Sequence, residues 1–174
     1  MNLKMAGVSQ SIPTMTDHEL FLYRGFDKML GEGPTRNPYL DTPRAPKHSN
    51  MLVHNLADEW FLERFGVAAR SSTVICSTSP QQAAQYVGPL GCLAIISPIA
   101  DHRLIYSPNV IDFLEYFTDG VTADRSSVRQ WLEEQCYQCV TSPRLISREH
   151  KGEVMLSCKM FNLQHTSLPR QPDA

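Results

Sequence analysis

The stretch "SSTVICSTSPQQAAQYVG", residues 71–88, changes character midway. "SSTVIC" is short, rich in β-branched and apolar residues, and reads as a buried strand. "STSP" then breaks it, and Pro80 suits the first turn of a short helix running to Gly88. Ser77, Thr78 and Ser79 sit at the junction. The default use of hydroxyls there is to cap the helix that follows.

Outward from this unit, strands and helices mix without fixed order. Towards the C-terminus, "GCLAIISPI" (91–99) is a second apolar strand and "HRLIYSP" (102–108) reads as another short one. "NVIDFLEYFTDG" (109–120) has the spacing of an amphipathic helix with a glycine stop. "SSVRQWLEEQCYQCV" (126–140) reads as a second helix, capped by Ser126 or Ser127. "GEVMLSCKMFNLQ" (152–164) supplies one or two strands. Towards the N-terminus, "ELFLYRGF" (19–26) is a strand. The Pro- and Gly-rich 29–50 is long for a structureless loop, so it is either functional or a lid. Ser49 or Asn50 caps a helix with Leu52, Leu56, Trp60 and Phe61 at helical spacing, and Gly66 ends it. The pattern is α+β and lacks the βαβ alternation of a doubly wound sheet. No G-x-G-x-x-G follows a strand, and neither G-x-S-x-G nor H-E-x-x-H occurs.

The 174 residues suit one domain, here 17–165, with a loose arm at 1–16 and a disordered tail at 166–174. A formal net charge of −2 implies no large basic field, so tight non-specific DNA binding is not expected; net charge says nothing about distribution, and a local basic groove stays open. Five cysteines are an odd count in a chain too long to need disulfide staples, which points to free thiols in a reducing, cytoplasmic compartment. Cys136 and Cys139 have zinc-ligand spacing, but no second pair follows. Two thiols near a helix end are the preferred reading.

Three short signals carry chemistry. Tyr23-Arg24-Gly25 ends the first strand, Ser77-Thr78-Ser79 ends the second, and Glu153 opens the last. Arg24 in an apolar strand is costly to bury unless an anion meets it. Either Asp27, Glu32 or a distant acid pairs with it, or a ligand phosphate does. Glu153 alone reads as a solvated strand-edge glutamate. Arg36, Arg44 and Lys47 in the long loop either touch phosphate or an acceptor, or are solvated; solvation is the preferred reading. His54 reads as a surface or packed histidine, and Trp60 and Trp131 as core.

In this order, the three signals resemble the arginine–serine–glutamate signature of the mono-ADP-ribosyltransferase family. Tyr23, Arg24 and Gly25 match its aromatic-Arg-Gly strand end, and Ser77, Thr78 and Ser79 its Ser-Thr-Ser. Ala83, Ala84 and Tyr86 match the small-then-aromatic helix after it, and Glu153, Val154, Leu156 and Phe161 its last motif. The resemblance spans most of 19–165, but only three short motifs are specific. It implies a split, mixed β-sheet core with flanking helices and NAD as co-substrate in the cleft. Arg24 would then grip the diphosphate, and the Gly25 backbone would meet the nicotinamide carboxamide. Tyr23 or Tyr86 would stack on the ring. Ser77, Thr78 and Ser79 would belong to the cofactor site, with Ser77 steadying Glu153 and the ribose. Glu153 would stabilise the oxocarbenium-like sugar cation. ADP-ribose would pass to a protein or nucleic-acid acceptor, in the manner of a toxin or effector, and a toxin implies a neutralising antitoxin or immunity protein. The family's arginine-modifying enzymes carry Glu-x-Glu, others Gln-x-Glu; here Lys151 stands two before Glu153 and Glu149 four before. A NAD glycohydrolase of the same fold and a non-catalytic interaction module are the alternatives.

Overall fold

A computed structural model describes residues 20–168. The expected arm at 1–16 and positions 169–174 of the expected tail lie outside them. The elements in chain order are β1 (Leu22–Phe26), β2 (Gly33–Arg36), α1 (Met51–Phe65), α2 (Ala69–Ser72), β3 (Val74–Ser77), α3 (Pro80–Ala84), β4 (Cys92–Tyr106), α4 (Glu115–Thr118), α5 (Arg125–Glu134), β5 (Gln138–Val140) and β6 (Glu153–Thr166). The architecture is α+β, a β-sheet core with helices against it.

The sheet runs β2-β6-β3-β1-β4-β5, and β4 pairs β6 as well, so the pairings return on themselves. All these strand pairs are antiparallel, which corrects the expected mixed sheet. The parallel contact among the described residues is one isolated bridge, Lys28 to Leu90. β4 and β6 are the long members and pair along most of their length. β4 joins the two apolar runs expected as separate strands. A register shift between Ile99 and His102, with Ala100 at φ 60°, bends it instead of ending it. β6 likewise is one strand, and Thr166, expected in the tail, is its last residue.

Side-chain alternation splits the core in two. Val154, Leu156, Leu104 and Tyr106 pack with Leu22, Val74, Ile96 and Phe161 on one face. Met155 and Ile105 pack with Phe61, Trp60, Phe113 and Trp131 beneath the helices. α1 is held at both ends as its sequence predicts. The Asn50 side chain accepts from Leu52 N, and Gly66 closes the helix in the left-handed region at φ 70°. Val53, Leu56, Ala57, Trp60 and Phe61 are its buried stripe.

Four further segments differ from expectation. Ser71 and Ser72 belong to the helical turn α2, because Asp58 Oδ1 accepts from the Arg70 and Ser71 amides (2.5 and 3.2 Å) and caps it. The 109–120 helix shrinks to α4. Glu115 Oε1 accepts from Ile111 N and Asp112 N (2.9 and 3.1 Å), and Asp112 Oδ1 from Leu114 N (2.8 Å), which caps the segment here and sets a late start for the helix. α5 is capped by Asp124 and stops at Glu134. Cys136 takes φ 55° in the turn and Cys139 lies on β5, so these thiols do not share a helix end. All five cysteines are free, and the described residues hold no cluster of three or more His, Cys, Asp or Glu placed for a metal. Finally, 29–50 contains β2 and a 3₁₀ turn, Pro38–Leu40. No helix among the described residues is long and apolar enough to cross a membrane.

Candidate active site

Strand register brings the three sequence signals together. Tyr23 on β1 pairs with Ser77 on β3, and Ser77 pairs with Glu153 on β6. β1 and β3 share that single pair. Beside it Arg24 reaches across to donate to Ile75 O, and its Nη2 donates to Tyr39 Oη at 2.8 Å. A cleft of about 600 Å³ opens here, lined by Tyr23, Arg24, Gly25, Ser77, Tyr86 and Glu153, together with the loop from Thr42 to Ser49. That volume lies in the range of small-molecule and cofactor pockets.

The expected local roles hold only in part. Arg24 pairs with none of the expected acids. It has no carboxylate partner among the described residues and rests 5.1 Å from the Phe26 ring centre. Its Nε is buried without a hydrogen-bond partner.

Glu153 is not a solvated edge residue. It forms an ion pair with Arg70, each side chain about one-tenth exposed (11% and 10%). Burial raises its carboxyl above the usual range, and the Arg70 charge opposes that rise. Arg70, which sequence reasoning missed, also lies 4.1 Å over the Phe113 ring.

Ser77 is buried, but its hydroxyl donates to Gln82 Oε1 (2.6 Å) and accepts from Ser79 N (2.9 Å), not to or from Glu153. Its link to Glu153 is the strand pairing. Thr78 and Ser79 do not line the cleft. Thr78 is buried; its hydroxyl donates to His150 O (2.6 Å) and accepts from Gly152 N (3.2 Å), fixing the turn that delivers Glu153. Ser79 caps α3.

Gly25 serves packing. A Cβ there would lie 2.8 Å from the backbone of Tyr86 and Val87, and closer still to Ala83 O, so α3 sits directly on β1. Tyr86 stands half exposed at the rim, donating to Asp112 Oδ2 at 2.5 Å. Burial and that bond raise its phenol pKa. Burial likewise raises Tyr23. His54 is buried, lines the cleft, and has its pKa lowered by burial.

The long loop supplies two further groups that sequence reasoning did not place in the site. Asn37, fully buried, donates to Ser72 O and Cys158 O (3.0 and 3.1 Å) and caps the turn carrying Tyr39. Arg44 is pinned by its amide to Ser71 O (2.8 Å) and by its guanidinium to Thr73 O, which corrects the solvated reading. Lys47 does conform to that reading, in an exposed pair with Asp27. The signal for Tyr39 and Arg44 was the length of the loop.

The chain matches no family model, no curated protein and no solved structure.

Proposed function

We propose that this cleft binds NAD and that the protein is a mono-ADP-ribosyltransferase of the toxin or effector kind, moving ADP-ribose to a protein or nucleic-acid acceptor. The observation that carries the reading is the convergence of Arg24, Ser77 and Glu153, far apart in sequence, on one cleft of about 600 Å³. The residues fit the ligand chemically. Arg24 offers a guanidinium without a carboxylate partner to a phosphate. Tyr23 and Tyr86 offer ring faces to a flat heterocycle. Glu153 offers a carboxylate, held by β6, to a ribose hydroxyl and to the positive charge that grows as the bond between nicotinamide and ribose breaks. Nicotinamide leaves with the bonding electron pair, and the acceptor's nucleophile bonds to the exposed carbon and loses its proton.

A glycohydrolase, in which water is the acceptor, is the second reading. It is favoured by Lys151, which is exposed and stands where the family's acceptor-side carboxylate or amide would be.

The test is incubation of the full chain with phosphate-labelled NAD and cell lysate. Label on a macromolecule supports transfer, and free ADP-ribose alone supports hydrolysis. Unchanged NAD, together with no thermal stabilisation by millimolar NAD, removes both. Saturation a hundredfold above Kd would add about 2.7 kcal/mol to folding stability.

A further inference from the structure

Two guanidiniums in the cleft lack a counter-ion. Among the charged groups lining it, Asp27 is held by Lys47, Glu153 by Arg70, and Asp112 by the Tyr86 hydroxyl. Arg24 and Arg44 have no carboxylate within ion-pair distance among the described residues, and each has a buried Nε without a hydrogen-bond partner. Both lie against one ring: the Arg44 guanidinium carbon is 4.3 Å from the Tyr39 ring centre and that of Arg24 is 5.7 Å from it. Burial, and secondarily the charge of Arg24, lowers the Arg44 pKa to about 10.

Two like charges held half-buried against one ring with no carboxylate partner repel each other, which is unfavourable unless the site is built for an anion that arrives later. The construction is rigid. Arg44 is tied to α2 and to the residue before β3, Tyr39 is set by the buried Asn37, and Arg24 is fixed to Ile75 O. Guanidinium groups suit phosphate oxygens, and the Nη hydrogens not given to Ile75 O, Tyr39 Oη and Thr73 O remain for an anion.

We propose that Arg44 is the second arm of an anion clamp, in which Arg24 and Arg44, held around Tyr39, each take one phosphate of a diphosphate. Two positive charges match the two negative charges of a diphosphate diester. For its choice of ligand the inference rests on the dinucleotide reading of the cleft. It adds a residue outside the three motifs and assigns the loop before α1 to binding.

The probes are inorganic pyrophosphate, ADP-ribose and orthophosphate, added to the full chain and followed by calorimetric titration and thermal shift. Pyrophosphate and ADP-ribose should bind and raise the melting temperature. Arg44→Gln and Arg24→Gln should each weaken pyrophosphate at least tenfold. Arg44→Lys, which keeps the charge but loses the fork, should fall between. Arg129→Gln, at a surface arginine already paired with Glu63 and Glu133, should bind as the wild type does.

If Arg44→Gln fails to fold, Arg44→Lys decides: wild-type affinity in that variant overturns the clamp. Orthophosphate binding as tightly as pyrophosphate overturns the two-phosphate arrangement, as does a folded wild type that binds neither diphosphate. Failure here is separable from failure of the transferase reading. NAD turnover unaffected by Arg44→Gln removes the clamp alone. Pyrophosphate binding lost in Arg44→Gln, in a protein that never cleaves NAD, keeps the clamp and removes the transferase.

Discussion

Arg70 and Glu153, 83 residues apart, form a buried ion pair on the floor of the cleft. The carboxylate that the proposed chemistry needs is therefore already balanced by a cation. Such a pair is seldom a source of net stability, because desolvating both charges offsets most of their attraction. Its effect is positional. Arg70 is fixed by its amide to Asp58 and by its guanidinium over Phe113, and it holds the Glu153 carboxylate at one place in the lining of the cleft.

Glu153→Gln should leave the fold intact and remove most turnover. The amide oxygen still accepts from Arg70, but the negative charge facing the sugar cation is gone. Loss of a group that acts only on developing charge costs roughly a hundredfold to a thousandfold in rate. Steady-state release of nicotinamide, with circular dichroism to check folding, measures this. Wild-type turnover in a folded Glu153→Gln protein takes Glu153 out of the mechanism.

Arg70→Gln isolates the other half of the pair. Removing one partner of a buried pair leaves the other charge uncompensated, a loss of about 3–5 kcal/mol. That loss should depend on pH. Burial already lifts the Glu153 carboxyl above its unfolded value, and removing the opposing Arg70 charge lifts it further. A raised carboxyl favours the folded state fully below the unfolded pKa, and that contribution is lost as pH rises through the folded value. The gap between wild type and Arg70→Gln should thus be wide at pH 8 and narrow towards pH 4. A gap independent of pH in urea titrations would mean that Arg70 acts through packing on Phe113 alone.

How far the sequence revealed this molecule depends on the range of the interactions involved. α1 was legible because Asn50 and Gly66 act within a turn of the residues they cap. β1, β3 and the start of β6 were legible as apolar runs. The short α4 was not, because Asp112 and Glu115 cap the chain three residues into the expected helix, so that the helical turn begins only at Glu115. Nor was the single course of β4, which turns on one left-handed residue, Ala100, where no glycine marks the bend. In the site, Ser77 and Glu153 could be named because one ends β3 and the other begins β6; Arg24 lies in the middle of β1, not at the strand end expected for it, and was named because a charge stands in an apolar run. Their partners could not. Arg70 meets Glu153, and Arg44 meets Thr73, only after the sheet has closed. The Ser-Thr-Ser run shows the same limit: the Ser77 and Ser79 hydroxyls both meet Gln82 of α3, one at its side chain and one at its amide, while the Thr78 hydroxyl between them holds the turn at His150 to Gly152.

Acid should loosen the fold through two histidines. His54 and His150 are buried, and burial lowers the pKa of both. Asp58 opposes the shift at His54, while the Arg70 and Arg44 charges add to it. A histidine with a lowered folded pKa contributes stability above its ordinary value near about 6.5, and loses it as pH falls through the folded value. The histidine contribution to stability should therefore decline from pH 7.5 to pH 5.5 in urea titrations, against the opposite slope from the raised Glu153 carboxyl. His150→Phe, which can keep the ring contact with Tyr106 at 5.2 Å between centroids, should flatten part of that decline. An identical slope in wild type and variant would remove His150 as a contributor.

Gly25→Ala tests whether the glycine of the first motif is there for ligand or for packing. In the folded backbone the new methyl would meet Ala83 O and the backbone of Tyr86 and Val87, all main chain and none able to swing aside. Overpacking of this kind costs about 1–3 kcal/mol, and α3 would have to lift from β1 to relieve it. Because α3 carries Gln82, and Tyr86 follows it at the rim, the same shift should weaken ligand binding in the cleft. A lower melting temperature together with weaker NAD-dependent stabilisation is the expected result. A variant with wild-type stability but lost NAD binding would instead assign Gly25 to the ligand, as the family resemblance implies.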